Sequence, residues 1–329
     1  MTNIAIIGGG IIGLACGLEL AQRGLEVTIW ERDLLGQGAT WAAAGMLAPT
    51  AEALEGDLAE LAQASLRIYP EWIGQIQALT GDDCGYWNCG ILALNPDLTA
   101  GVWLTGADLD RKQAGLAVNS AHWLELEGQV DNRRLVASLQ RAVRASGVKI
   151  QTGVQVERIA TDLDRVTHLQ TSWGEVRADR YLLATGAWTR ALLPLPVEPR
   201  KGQMLAVLDR DRALNRIVYG DGIYLVPRRD GRLVIGATVE DVGFLPGNQA
   251  GKIRELLTRA IEIFPAIASM ELIDTWWGFR PYVAGETLIL GASEYTNLAL
   301  ALGHYRNGIL LAPITAQIVS DFVIQSLTA

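Results

Sequence analysis

The sequence predicts an α/β protein in which a Rossmann-type parallel sheet with helices is joined to a second, antiparallel sheet. Three observations carry this expectation. An apolar run is broken by glycines at residues 4–13, a second small-residue turn follows Leu183, and short strands surround Asp221-Gly222 and Asp230-Gly231. Ile4, Ala5, Ile6 and Ile7 suit a strand buried on both faces. Behind Gly8, Gly9, Gly10 and Gly13, the residues Leu14, Leu18 and Ala21 recur at helical spacing up to Gly24, a glycine stop. Glu26 to Trp30 reads as the next strand, and Glu31 stands at its carboxyl end.

These residue types in this order suit an adenine dinucleotide. Gly8 permits a tight turn, Gly10 lets backbone approach a pyrophosphate, and Gly13 lets helix and strand pack closely, while the helix N-terminus offers unpaired N–H groups and positive potential. Glu31 can accept hydrogen bonds from ribose hydroxyls and would repel a 2'-phosphate, which disfavours NADP.

Composition narrows the class. A chain of 329 residues, half of them hydrophobic and 35 of them glycine, can bury a large core and is expected to hold two domains. The net charge of −8, without a basic cluster, argues against a nucleic-acid partner. Three cysteines, Cys16, Cys84 and Cys89, have no metal-ligand spacing, so no metal is expected, and they point to a reducing, cytoplasmic setting. Residues 1–22 lack the basic start of a signal peptide. No stretch reaches the roughly eighteen uninterrupted apolar residues of a membrane span, so no membrane partner is expected.

Gly38 to Pro49 is dense in small residues, which lets something flat or another backbone come close, and Thr40 is placed to cap a short helix. The opening glycines together with "ATWAAAGMLAP" resemble the flavin-dependent D-amino-acid oxidase superfamily, in particular its glycine oxidase branch, which feeds thiamine thiazole synthesis. The resemblance implies non-covalent FAD. It assigns to the cofactor Gly8, Gly10, Ile11, Ile12, Gly13, Glu31, Arg32, Ala39, Thr40, Ala44, Gly45 and Met46, with Met46 also lining the substrate side.

Further along, Asp57 to Thr80 has helical spacing that Pro70 is expected to kink or divide, and Tyr86 to Leu94 reads as a strand. Residues 95–128 give a poor signal and are shorter than in relatives; His122 and Trp123 within them read as structural. "GQVDNRRL" opens a helix running to about Ser146, capped by Asp131 or Asn132, with Arg133, Arg134, Arg141 and Arg144 on a solvated face. Strands are expected near Val148–Ile150, Val154–Ile159, Val166–Leu169 and Tyr181–Leu183. The resemblance places the Val156 backbone at the adenine and adds Thr185, Gly186 and Trp188 as a second turn at the cofactor, which favours FAD over NAD.

Leu192 to Pro199, with three prolines, reads as a crossover to the second sheet, whose strands are expected at Gly202–Val207, Ile223–Val226, Arg232–Ala237 and Leu272–Pro281, with a helix at Gln249–Phe264. The expected division is 1–83, 129–195 and 278–329 for the cofactor, 84–128 and 196–277 for the substrate. Arg280 stands among Trp276, Trp277 and Phe279, where either a ligand carboxylate or an aromatic face answers its charge. In the similar enzymes a tyrosine at the Tyr224 position points at the substrate carboxylate; in an unrelated sheet it would be packing. After Arg280-Pro281 the chain lacks the acidic residue and second proline common in relatives, and Gly220 replaces a histidine found in some, so no general acid or base is assigned.

Leu298 to Leu302 reads as a buried strand, and Gly303 to Gly308 as a turn into a helix from Ile309 to Phe322 whose N–H groups aim at what lies before it. The resemblance assigns His304, Arg306, Asn307, Gly308 and Ile309 to the flavin, with Arg306 also facing substrate; for His304 a satisfied loop histidine is equally in keeping with the residues. What it implies overall is oxidative deamination of glycine and other small amines or D-amino acids, with dioxygen as acceptor and a homo-oligomer, a tetramer in many relatives. A D-amino-acid or sarcosine-type oxidase or dehydrogenase and a non-catalytic FAD-binding protein are the rival readings.

Overall fold

The computed structural model describes residues 2–220 and 222–328. The anticipated turn at Asp221-Gly222 therefore falls partly outside the described residues. Helices are α1 (Ile11–Gln22), α2 (Ala39–Ala42), α3 (Gly56–Thr80), α4 (Gly106–Lys112), α5 (Asn132–Ala145), α6 (Ala250–Ile263) and α7 (Gly308–Thr328).

The first sheet has six strands in the order Ile289–Ala292, Leu298–Leu302, Arg180–Leu183, Asn3–Ile7, Glu26–Glu31 and Lys149–Thr152. All neighbours run parallel except the first pair. Ile4, Ile6 and Ile29 pack on one face under α1, α3, α5 and α7, while Ala5, Ile7, Leu183 and Leu300 pack on the other beneath the three-stranded sheet of residues 156–176. Burial on both faces is what the unbroken apolar runs encode.

The second sheet has eight strands, ordered Glu271–Tyr282, Glu198–Leu208, Arg232–Gly236, Ile223–Pro227, Ile217–Gly220, Ile91–Ala93, Ser120–Leu124 and Val102–Thr105. It is antiparallel apart from one parallel pairing, Ile217–Gly220 with Ile91–Ala93. One face carries Met204, Val226 and Val234, and the other packs Leu205, Leu225 and Ile235 on α6.

Three expectations change, and one stretch that gave no signal acquires structure. The stretch Tyr86 to Leu94 is two strands in two different sheets, because Gly90 turns with φ of 74° where a Cβ would sit 1.8 Å from the Trp123 ring. Pro70 leaves α3 as one helix of 25 residues. It faces solvent, so the carbonyl it deprives of a donor reaches water, while Tyr69, Trp72, Ile73 and Ile76 hold the helix to the core. Residues 95–128, where the sequence signal is poor, fold into strands and a helix. The last helix runs on to Thr328, and Gly308–Leu327 is long and apolar enough to cross a membrane by length and composition. Here Leu310, Leu311, Ala316, Val319 and Val323 are buried in the core, so its apolar surface serves packing.

Candidate active site

A cavity of about 840 Å³ runs along the carboxyl ends of the parallel strands, a volume in the range of sites for large ligands. Its floor is built by the glycine turn. A Cβ on Gly13 would lie 2.0 Å from the Gly8 carbonyl oxygen, and one on Gly8 would lie 2.4 Å from the Ala184 oxygen, so both positions exist for close backbone approach. A Cβ on Gly10 would meet nothing nearer than the Thr40 hydroxyl at 3.5 Å, which leaves its surface open to the cavity. Thr40 does not cap its own short helix. Its hydroxyl accepts from Ile11 N–H at 3.0 Å and so occupies one free donor at the start of α1.

At one end of the cavity stand Glu31, Arg32, Gly153 and Val156. The Glu31 carboxylate accepts from Gly9 N–H at 2.7 Å and Asp33 N–H at 2.9 Å, which fixes its orientation toward the opening. The Arg32 guanidinium stacks on the Trp188 ring at 4.1 Å, and Thr185, Gly186 and Trp188 form the wall beside it. The lining also includes Ala39, Thr40, Ala43, Trp277, Gly278, Phe279, His304, Tyr305, Arg306, Gly308 and Ile309, and Phe279 packs edge-on against Trp188 with ring centres 6.3 Å apart.

Some anticipated residues stand away from the cavity wall. Gly13 works behind it as the packing contact just described. Ala44 and Gly45 lead into a short strand, Met46–Leu47, instead: Gly45 accepts from Val130 N–H at 2.9 Å, and a Cβ there would meet the Val130 oxygen at 2.1 Å. Asn307 is buried and precedes α7 as its capping position, so its backbone rather than the cavity explains it. The small-residue run serves both uses open to it. Ala42 packs on the 271–282 strand, where a Cβ on Gly278 would come within 2.5 Å, and Ala39, Thr40 and Ala43 face the cavity.

The segment is held by a network that residue patterns did not reveal. Buried Arg228 donates to Ala44 O at 2.8 Å, Val130 O at 3.1 Å and Asn132 Oδ1 at 3.2 Å, and Asn132 donates to Thr40 O and Trp41 O at 2.8 and 2.9 Å. Burial pushes the Arg228 guanidinium down to about 10, with Asp131 opposing. Arg133 also departs from the solvated face expected of it: it lies 3.8 Å from the Trp41 ring centre and 4.9 Å from that of Trp276. Arg134 and Arg141 do face solvent, paired with Asp83 and Asp82.

Beyond Phe279 and Pro281, which line the cavity, Arg280 lies flat across Gly202; a Cβ there would fall 2.4 Å from Arg280 Nη1. Its guanidinium donates to Thr238 O at 3.1 Å and to the Tyr224 hydroxyl, which also lies 3.5 Å from Met204 Sδ. Burial pushes the Tyr224 phenol up to about 12 against the pull of Arg280, so it stays protonated and can donate. Arg306, exposed, donates to the Tyr219 phenol, and Glu52 lies within electrostatic reach of both arginines. Tyr219 and Glu52 were not singled out from the sequence. Nothing in "PTAEAL" or "IVYGD" marks them, because only the packing of the two sheets brings them together.

His304 is buried in the cavity wall, its Nε2 3.0 Å from the Thr315 hydroxyl, and burial pushes it down to about 3. It is neutral at ordinary pH and unsuited to proton transfer there. The unfolded chain takes up a proton below about 6.5 that the folded protein refuses until about 3, so stability is lost as pH falls through that window. His304→Gln is expected to show a smaller Tm loss than the unmodified protein between about pH 6.5 and 4 in a thermal melt series.

The residues present fit FAD: an unobstructed Gly10, a carboxylate at the end of the second strand and the start of α7 all line one continuous cavity. The family described as FAD dependent oxidoreductase matches residues 3–322. The bifunctional protein ThiO/ThiG of Trichormus variabilis is 44% identical over 98% of this chain and 53% of its own length. The chain thus spans about half the length of such curated relatives. The glycine oxidase of Geobacillus kaustophilus is 33% identical over 99% of this chain and 94% of its own. Its crystal structure superposes with a TM-score of 0.92 and covers 99% of this chain and 95% of that one. The L-proline dehydrogenase of P. horikoshii, at 19% identity and a TM-score of 0.88, shares the fold. With the cofactor cavity, both sheets and nearly every residue covered by these matches, the chain belongs to the FAD dependent oxidoreductase family.

Proposed function

We propose that this chain oxidises glycine and other small amines or D-amino acids, giving the imine, then the oxoacid and ammonia, with dioxygen reduced to hydrogen peroxide. The observation that carries the reading is Arg280 with the Tyr224 phenol beside it, next to Phe279 and Pro281 at the cavity wall. A guanidinium fork and a phenol that keeps its proton offer a carboxylate three donors, and a planar fork matches its two oxygens. Bound FAD supplies the hydride acceptor.

The chain's own residues bind and orient. Arg280 and Tyr224 fix the carboxylate, so Cα is presented in one pose toward the cavity, and positioning of this kind accounts for much of such a rate enhancement. Glu31 would take the ribose hydroxyls, the backbone at Gly8, Gly10, Ile11 and Ile12 would hold the pyrophosphate, and Val156 would meet the adenine. Arg32, Ala39, Thr40, Thr185, Gly186, Trp188, His304, Arg306, Gly308 and Ile309 line the rest. The N–H groups that open α7 stabilise negative charge in front of them. Substrate enters with a neutral amine, and no side chain acts as general base. Residues 1–83, 129–195 and 278–329 form the cofactor-binding part, and 84–128 with 196–277 the substrate part.

We extend the reading to the supply of glycine imine for thiamine thiazole synthesis, in keeping with the names of the ThiO/ThiG relatives. Three buried free cysteines support a cytoplasmic setting. Exposed Leu272 and Ile273 on an edge strand offer apolar surface that a homotetramer would use.

The test is peroxide release by the purified yellow protein with glycine, sarcosine and D-alanine, together with bleaching of the flavin under nitrogen. Turnover of glycine is expected. A flavin that no amino acid bleaches would favour a non-catalytic binding protein and sink the proposal.

A further inference from the structure

The loop between Glu240 and Gln249 carries an aromatic ring to the wall of the cofactor cavity, and nothing in the proposed oxidation uses it. Buried Gln203 holds both ends of this loop: its Nε2 donates to Glu240 Oε1 at 2.9 Å, and its Oε1 accepts from Gln249 N–H at 2.6 Å. Glu240 and Lys201 exchange backbone hydrogen bonds of 2.9 and 3.0 Å, and the Arg200 guanidinium donates to Asp241 Oδ1 at 2.8 Å. Between these anchors Val242, Phe244 and Leu245 are exposed.

Phe244 keeps 45% of its surface in water, and two rings cover part of the rest. It stacks on Trp188 with ring centres 5.4 Å apart and planes 18° from parallel, and it meets Phe279 edge-on at 5.1 Å. Trp188 and Phe279 touch one another and both line the cavity, whereas Phe244 does not. Phe244 therefore stands on the outer side of these two rings. Trp188 also carries the guanidinium of Arg32, another lining residue, 4.1 Å from its ring centre.

We propose that Phe244 is a positioning residue for FAD: it clamps Trp188 and Phe279 from outside and so slows loss of the cofactor from the cavity. The proposal rests on FAD lying against Arg32 and Trp188, as set out above. The four groups come from four segments: Arg32 from the end of the 26–31 strand, Trp188 from the turn after Leu183, Phe279 from the 271–282 strand and Phe244 from the loop. Turning Trp188 away from the cavity breaks its stack with Phe244, its edge contact with Phe279 and its cation–π contact with Arg32 together. Removing the Phe244 ring leaves the Gln203 bonds at the base of the loop in place. The loop then stays attached while the wall loses its backing.

The test is release of FAD from the holoenzyme, followed by the rise in flavin fluorescence on dilution, with uptake measured by rapid mixing of flavin-free protein with FAD. Phe244→Ala is expected to release FAD about tenfold faster, the worth of roughly two aromatic contacts, while the uptake rate changes by less than about threefold. Phe244→Tyr and Phe244→Trp should stay within about threefold of the unmodified protein, since each keeps a ring. In a Trp188→Leu background, where the stack is already gone, Phe244→Ala should add less than about threefold. Flavin-free Phe244→Ala should melt with the unmodified apoprotein, which separates loss of the clamp from damage to the fold.

Unchanged release, a loss that Phe244→Tyr fails to restore, or the full tenfold effect in the Trp188→Leu background would overturn the proposal. So would release and uptake accelerated alike, for the loop would then gate FAD rather than hold it. An apoprotein that melts as far below its parent as the holoenzyme does places Phe244 in the fold and overturns it too. A protein that takes up no flavin sinks the cofactor assignment along with the clamp. Faster release from Phe244→Ala in a protein that oxidises no glycine sinks the oxidation alone and leaves the clamp standing.

Discussion

Arg280→Ala is expected to lower kcat/KM for glycine on the order of a thousandfold, since removing one partner of a hydrogen-bonded charge pair costs roughly 4 kcal/mol. The loss should sit mainly in KM, with flavin content unchanged, because Arg280 lies behind the cavity wall rather than in it. Arg280→Lys should recover only part, for an ammonium keeps the charge without the fork. Tyr224→Phe should cost less than either, since it removes one neutral donor and leaves the guanidinium in place. Steady-state kinetics on the three variants decide it. An Arg280→Ala protein with unaltered apparent affinity for glycine shows that the carboxylate is held elsewhere.

Gly13→Ala carries the second large effect. Its Cβ would have to lie 2.0 Å from the Gly8 oxygen and 3.4 Å from Ile6 Cγ2, and the first contact is backbone that cannot rotate away. Helix α1 must lift from the strand, which dislocates the turn that the pyrophosphate needs. We expect a loss of about 3 kcal/mol or more in stability and a protein purified largely without flavin. Gly74→Ala, in the interior of α3 with open space around it, is the control. It should retain flavin and gain up to about 1 kcal/mol from helix propensity. Melting temperature and the ratio of visible to ultraviolet absorbance report both. Equal behaviour of the two variants would show that close packing at Gly13 is not required.

Helix interruption shows where local reading stops. Pro70 ought to break α3, and an isolated peptide would obey, but its ring sits on the solvent side while four large side chains one to six residues from it are locked in the core. Thr40 behaves similarly. Its hydroxyl was expected to cap the helix it belongs to and instead reaches across 29 residues to Ile11 N–H, where a donor waits in a place no side chain of α1 can reach. Arg133, placed by helical spacing on a wet face, is drawn against Trp41 of α2 and Trp276 of the 271–282 strand, rings that only the tertiary fold brings to α5.

By itself the sequence determined the parallel half and its cavity floor. A strand, a glycine turn, a helix and an acid in register are local features, and each constraint acts between residues only a few positions apart or across one tight turn. The same holds for the glycine-led start of α7. Only the tertiary structure decided which side chains meet beyond that floor. Arg228 holds the 39–44 segment across a sequence separation of 184 residues, and Glu127 holds the loop at Thr50 and Ala51 across 76. Charge interactions of this kind depend on distance and burial, not on order along the chain, so no spacing rule encodes them.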